Sequence, residues 1–129
     1  MTDFDTGMEI RRAVLGDEYV DAALARQDGF TAPFQEFITG YAWGGVWGRP
    51  GLDRRTRSCV TVALLATLGH ERELAAHLGG ALRNGVTPDE LREVLLHTAV
   101  YAGVPAANRA FAVAQGILAA GTDAGSDEG

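Results

Sequence analysis

Thr87-Pro88-Asp89-Glu90 opens the most sharply punctuated element of this 129-residue chain. Thr87 suits a helix cap, Pro88 falls in the first turn where its missing N–H costs nothing, and Glu90 can reach back to close a capping box. Just upstream, Asn84-Gly85 reads as the left-handed end of a helix that starts near His70. Downstream, a last helix is expected from about Pro105 to Gly121. Toward the N-terminus, Asp53 can cap a helix running through Val60, Val62, Leu64, Leu65 and Leu68. That helix is apolar over most of its circumference and is expected at the centre. Thr31 is expected to cap another, with Pro33 early and Phe34, Phe37, Ile38 and Tyr41 following. Met8 to Arg26 carries Ile10, Val14, Leu15, Val20, Ala23 and Leu24, interrupted at Gly16-Asp17. No stretch reads convincingly as a strand. Six helices with short connections predict an all-α, single-domain bundle over residues 7–120. Flexible tails are expected at 1–6 and, acidic and glycine-rich, at 121–129.

Composition narrows the functions open to such a bundle. No apolar run approaches the length of a bilayer span, and the N-terminus lacks the basic-then-apolar order of a secretory signal. Cys59 is the only cysteine, which rules out an intrachain disulfide, a CxxC redox pair or a cysteine-rich zinc site. A cytoplasmic protein is expected. The net charge of −6 argues against nucleic-acid binding, which needs a basic footprint. All eleven basic residues are arginine. With no lysine amine, Schiff-base chemistry on this chain is excluded. Ser58 and Ser126 are the only serines and neither lies in a nucleophile elbow; phosphate loops and dinucleotide fingerprints are absent too.

Some residues remain that can carry chemistry. Arg54, Arg55 and Arg57 crowd the first turn of the third helix, with Arg49 just before them. Cations there oppose the helix dipole, yet guanidinium forks beside free backbone donors suit a carboxylate. The cluster is either an anion site or surface charge partly neutralised by Asp53. Glu73 and His77, four apart, share a helix face, where a carboxylate favours the charged imidazole that suits a proton donor. A solvated ion pair is the plainer reading of the same spacing. His70 adds a third possible ligand, but zinc sites draw ligands from more than one element, and no metal is expected. His70 is placed at the helix entrance and His97 in a structural role. Trp43, Trp47, Tyr41 and Tyr101 either wall a flat-ring pocket or serve as core and interface aromatics. Small residues from Ala99 to Ala114 allow close helix packing, within the chain or between copies.

Several segments resemble the carboxymuconolactone decarboxylase family. They are Gly7-Met-Glu-Ile-Arg-Arg-Ala-Val-Leu-Gly-Asp17, Phe34-Gln-Glu-Phe-Ile38, Tyr41-Ala-Trp43-Gly-Gly-Val-Trp47, Arg49-Pro-Gly-Leu-Asp-Arg-Arg-Thr-Arg-Ser58, Glu73-Leu-Ala-Ala-His77 and Tyr101-Ala-Gly-Val-Pro-Ala-Ala-Asn108. The resemblance implies an alkylhydroperoxidase D-like helical fold assembled as a homo-oligomer, trimer or hexamer. Peroxidase relatives carry a CxxC pair where this chain has His70 and Glu73, and a relay glutamate where it has Ser58, so peroxidase chemistry is not expected. The resemblance implies a carboxy-lyase acting without cofactor on a small anionic lactone, in the protocatechuate branch of the β-ketoadipate route of aromatic degradation. The site residues it implies are His77 and Glu73 for catalysis, with Arg49, Arg54, Arg55, Trp43, Trp47, Tyr101 and Asn108 around the substrate. Two other readings stand beside it: a different cofactor-free enzyme acting on a lactone or keto acid, and a non-enzymatic oligomeric ligand-binding or scaffold protein.

Overall fold

Thr2 starts the chain's first helix earlier than its polar composition suggests. In this computed structural model, which describes the backbone of residues 2–128 and the side chains of 2–121, Thr2 accepts from the Asp5 backbone N–H at 3.1 Å, and the Asp5 carboxylate accepts from the Thr2 N–H. This reciprocal box ties down most of the segment expected to be a tail. Helix α1 covers Asp3–Leu15, α2 Asp17–Ala25 and α3 Ala32–Phe37. A nine-residue π-helix, Ile38–Val46, continues from α3. Then come α4 (Arg54–Leu68), α5 (Glu71–Arg83), α6 (Pro88–Ala102) and α7 (Val104–Glu128). No strand occurs among the described residues, so the fold is all-α as expected. Helix α7 continues past Gly121, the end expected for the last helix, and the side chains beyond residue 121 lie outside the described residues.

The chain divides into two compact units, Met1–Arg57 and Ser58–Gly129. In the first, α1 lies against the π-helix at a separation only glycine permits. A Cβ on Gly7 would stand 1.9 Å from the Thr39 carbonyl oxygen, and one on Gly44 would stand 2.0 Å from that of Asp3. Gly16, at φ +91°, breaks α1 from α2 at the interruption expected there. Thr31 does not cap α3 as expected. It adopts helical angles, and its hydroxyl accepts from the Asp28 N–H while Asp28 accepts from the N–H groups of Phe30 and Thr31. Asp28, whose carboxylate is the stronger acceptor and takes both N–H groups, makes the turn instead.

The second unit has an aliphatic core of Val62 and Ala66 from α4, Leu74, Leu78 and Ala81 from α5, Leu91 and Leu95 from α6, and Ala110 and Ala114 from α7. Each fully buried leucine contributes about 1.5–3 kcal/mol. Val62 is completely buried, but Val60, Leu64 and Leu68 at the i, i+4, i+8 positions of α4 are exposed. The expectation of a central helix buried all round is therefore corrected: α4 buries one stripe and presents a second apolar one. The capping box at Thr87 is present, with Glu90 accepting from the Thr87 N–H at 3.0 Å, and Gly85 at φ +90° ends the preceding helix.

Candidate active site

In the first unit, the sequence after the π-helix folds into a short loop and then a capped helix. Asp53 accepts from the Thr56 N–H at 2.7 Å, and that bond holds its carboxyl below the usual carboxylate range. Arg57 turns back from the first turn of α4. Its Nε donates to the Leu52 carbonyl at 3.2 Å and its Nη2 to the Arg49 carbonyl at 3.1 Å. Two of the Arg57 guanidinium donors are therefore turned to backbone, where they brace the loop that carries Arg49. Sequence reading placed Arg57 in the cationic cluster but could not separate this task from ligand binding.

A cavity of about 380 Å³ opens on that loop, and Trp47, Arg49 and Arg54 all line it. Glu9 and Asp53 share the wall, so the cationic character is local. Arg49 is exposed and makes no ion pair with any described residue, which leaves its guanidinium available to an anion. Arg55 is exposed and does not line this cavity, so of the arginines expected as a clamp the structure groups Arg49 with Arg54. Trp43 is buried in the π-helix and lies behind Trp47, ring centroids 4.8 Å apart and planes tilted by 32°. One tryptophan forms the wall and the other supports it.

In the second unit, Glu73 and His77 lie one turn apart on α5 as expected. The expected electrostatics are reversed. His77 is half-buried with Nδ1 shut off from solvent, and desolvation pushes its pKa down from 6.5 to about 4. Glu73 pulls the other way, but it is exposed and its field is screened by water. The resting imidazole is neutral at pH 7. His70 stands at the N-cap of α5 without a side-chain bond to it. Among the described residues, no three His, Cys, Asp or Glu side chains converge on a point where a metal ion could sit.

Asn108 lines a groove of about 660 Å³ between α6 and α7, floored by Leu91, Leu95 and Phe111 and edged by Arg92 and Gln115. Arg92 is paired with Asp89 at its rim. Glu73, His77 and Tyr101 do not line this groove. Tyr101 is 81% exposed, its ring 5.1 Å from that of His97, itself exposed, so within this unit Tyr101 walls no pocket and His97 fills no core position.

The neutral state of His77 has a consequence for stability. Between pH 4 and 6.5 the unfolded chain binds a proton at this site and the folded chain does not. The contribution is therefore complete above about pH 6.5 and is lost as pH falls toward 4, up to about 3 kcal/mol. Urea unfolding at pH 7 and 4.5 should show a smaller acid loss in His77→Gln than in the native chain. Equal losses would mean the imidazole is not held neutral.

No helix among the described residues is long and apolar enough to cross a membrane. Residues 32–116 match the model of the carboxymuconolactone decarboxylase family. The chain is 48% identical to the 4-carboxymuconolactone decarboxylase of Acinetobacter baylyi over 115 residues, covering 89% of this chain and 86% of that one. It is 50% identical to a nitrosuccinic acid decarboxylase of Metarhizium robertsii over 112 residues, covering 87% and 78%. A 4-carboxymuconolactone decarboxylase of Pseudomonas putida matches at 51% over 41 residues, 32% of this chain and 85% of that one. With the family model covering well over half the sequence, the chain belongs to the carboxymuconolactone decarboxylase family, and its activity is that of a carboxy-lyase.

Proposed function

We propose that this carboxy-lyase converts 4-carboxymuconolactone to 3-oxoadipate enol-lactone, the step of the β-ketoadipate route that follows lactone formation in protocatechuate breakdown. The observation that carries this reading is the match, across nearly nine-tenths of both chains, to the Acinetobacter protein of that name. The chemistry suits a chain with no lysine. When the C–CO₂ bond breaks, its electron pair moves through the ring double bond onto the lactone carbonyl, giving an oxyfuran-like dienolate. A proton then returns to ring carbon, and the dienolate collapses to the enol-lactone. The substrate holds its own electrons throughout, and the protein binds, stabilises and protonates.

Differential binding assigns the roles. A tight grip on the departing carboxylate would stabilise the ground state, so that group belongs in apolar or aromatic surroundings such as the Trp43–Trp47 pair provides. The acetate carboxylate survives the reaction and suits the forks of Arg49 and Arg54. His77 is the proton carrier. Neutral at rest, its imidazole would be favoured as imidazolium by the negative charge of a dianionic substrate, which loads the acid. Glu73 orients and supports that charge, while Arg55, Tyr101 and Asn108 are left supporting roles. The exposed stripe Phe30, Phe34, Phe37 and Tyr41, with the last two rings stacked at 5.3 Å, supports assembly as a trimer or hexamer.

A second reading is favoured by the match to the nitrosuccinic acid decarboxylase. Nitrosuccinic acid is also a diacid with its own electron sink: loss of the carboxylate beside the nitro group leaves a nitronate, which a proton converts to the nitro acid. The same anchor and proton carrier serve both. Purified protein should be assayed on each acid, with enol-lactone formation followed by absorbance and carbon dioxide release measured for nitrosuccinate. Turnover of the lactone at a far higher kcat/KM supports the first reading, the opposite ratio supports the second, and activity on neither removes both.

Arg49→Lys separates charge from shape. It keeps the cation and loses the fork, so KM for the lactone should rise about tenfold with kcat nearly unchanged. An unchanged KM would remove Arg49 from the anchor.

A further inference from the structure

Arg11 is the only residue both charged and buried among the described residues, at 4% exposure. It occupies a core-facing position of α1 beside Gly7, Ile10 and Val14, where an apolar side chain would be expected. No carboxylate of the described residues pairs with it. Its Nη1 donates to Gln35 Oε1 at 3.0 Å and to Thr39 Oγ1 at 3.2 Å, and its Nε is buried without a hydrogen-bond partner. Burial accordingly lowers its pKa from the ordinary arginine value. A desolvated cation held only by neutral acceptors is poor value for stability, since a well-packed apolar residue of the same volume is commonly as good or better.

What Arg11 holds is specific. Gln35 is in α3 and Thr39 is in the π-helix, so the guanidinium bridges the point where i→i+4 winding gives way to i→i+5. π-Helical turns are rare and need external support. Trp43 lies four residues beyond Thr39, Trp47 four beyond that, and the loop bearing Arg49 follows at once.

We propose that Arg11 is a positioning residue for the decarboxylation: by bridging Gln35 and Thr39 it fixes the winding that presents the tryptophan pair and the Arg49 loop to substrate. This rests on the function proposed above, but part of its test does not. Arg11→Met fills the same space without the charge, and Thr39→Val removes the acceptor with little change of shape. Each should lower kcat/KM on the lactone about 10–100-fold, as misplacement of order 1 Å does, and the double variant should be no worse than either single. Urea stability of Arg11→Met should equal or exceed that of the native chain, and Arg11→Lys should restore part of the activity. Circular dichroism of the coupled indoles reports the same winding without substrate, and their exciton signal should weaken in both variants. Should Arg11→Met fail to fold, Thr39→Val carries the test alone. If the native chain proves inactive on both acids, the functional reading falls and the exciton signal still decides whether Arg11 sets the winding. Folded variants with native kcat/KM, whatever their exciton signal, or with loss of stability alone, would overturn the proposal.

Discussion

His77→Ala is expected to lower kcat on the lactone by about 10²–10⁴, the range a general acid supplies, while KM stays within a few-fold of native. The expectation follows from the order of events. Carbon–carbon cleavage needs electron acceptance, which the substrate provides, but the dienolate returns to substrate or stalls unless a proton arrives at ring carbon. A neutral imidazole at rest is no obstacle, because the acid is needed only when anionic substrate is present and that substrate favours the charged form. Burial then becomes an advantage: the proton is held where water does not compete for it. If kcat survives and KM rises instead, His77 is a binding residue and the proton comes from elsewhere.

Gly7→Ala should cost about 3 kcal/mol or more of folding stability, at the upper end of overpacking effects. The added methyl would stand 1.9 Å from the Thr39 carbonyl oxygen and 2.8 Å from the Gly44 nitrogen. Both are backbone atoms and cannot swing aside as a side-chain tip would. The two helices would have to separate, breaking the contact in which Arg11 reaches Thr39. Gly29→Ala is the control: nothing lies within 4 Å of its added carbon, so it should be neutral or slightly stabilising. Thermal melts of the two variants decide the matter. A Gly7→Ala midpoint matching that of Gly29→Ala would mean the crossing is looser than described.

Much of the fold was legible from helix punctuation. The capping box at Thr87–Glu90, the cap at Asp53 and the breaks at Gly16 and Gly85 all stand where the sequence puts them. These signals are local, with a few residues satisfying one another's backbone groups, so no tertiary knowledge is needed to read them. The π-helix was not legible. Ile38-Thr-Gly-Tyr-Ala-Trp-Gly-Gly-Val46 carries no pattern that separates i→i+5 from i→i+4 winding, and the contacts it makes, a glycine approach and an arginine bond, come from a helix distant in sequence. Arg11 left a trace that went unread: a charge in the middle of an apolar stripe. The candidate site was legible as residue types and not as electrostatics. Spacing put Glu73 beside His77, but spacing says nothing of how much water remains, and water decides the sign of the shift.

The loosely wound stretch between Ile38 and Val46 also bears on how such a chain could change its ligand. Ordinary helical winding advances about 100° per residue, so dropping one residue there would tighten the coil and swing the aromatic rings by about a quarter of a circle relative to the guanidinium loop. A single-codon deletion would thus redraw the contour facing a small acid, and it would also carry Gly44 out of its close contact with Asp3 in α1.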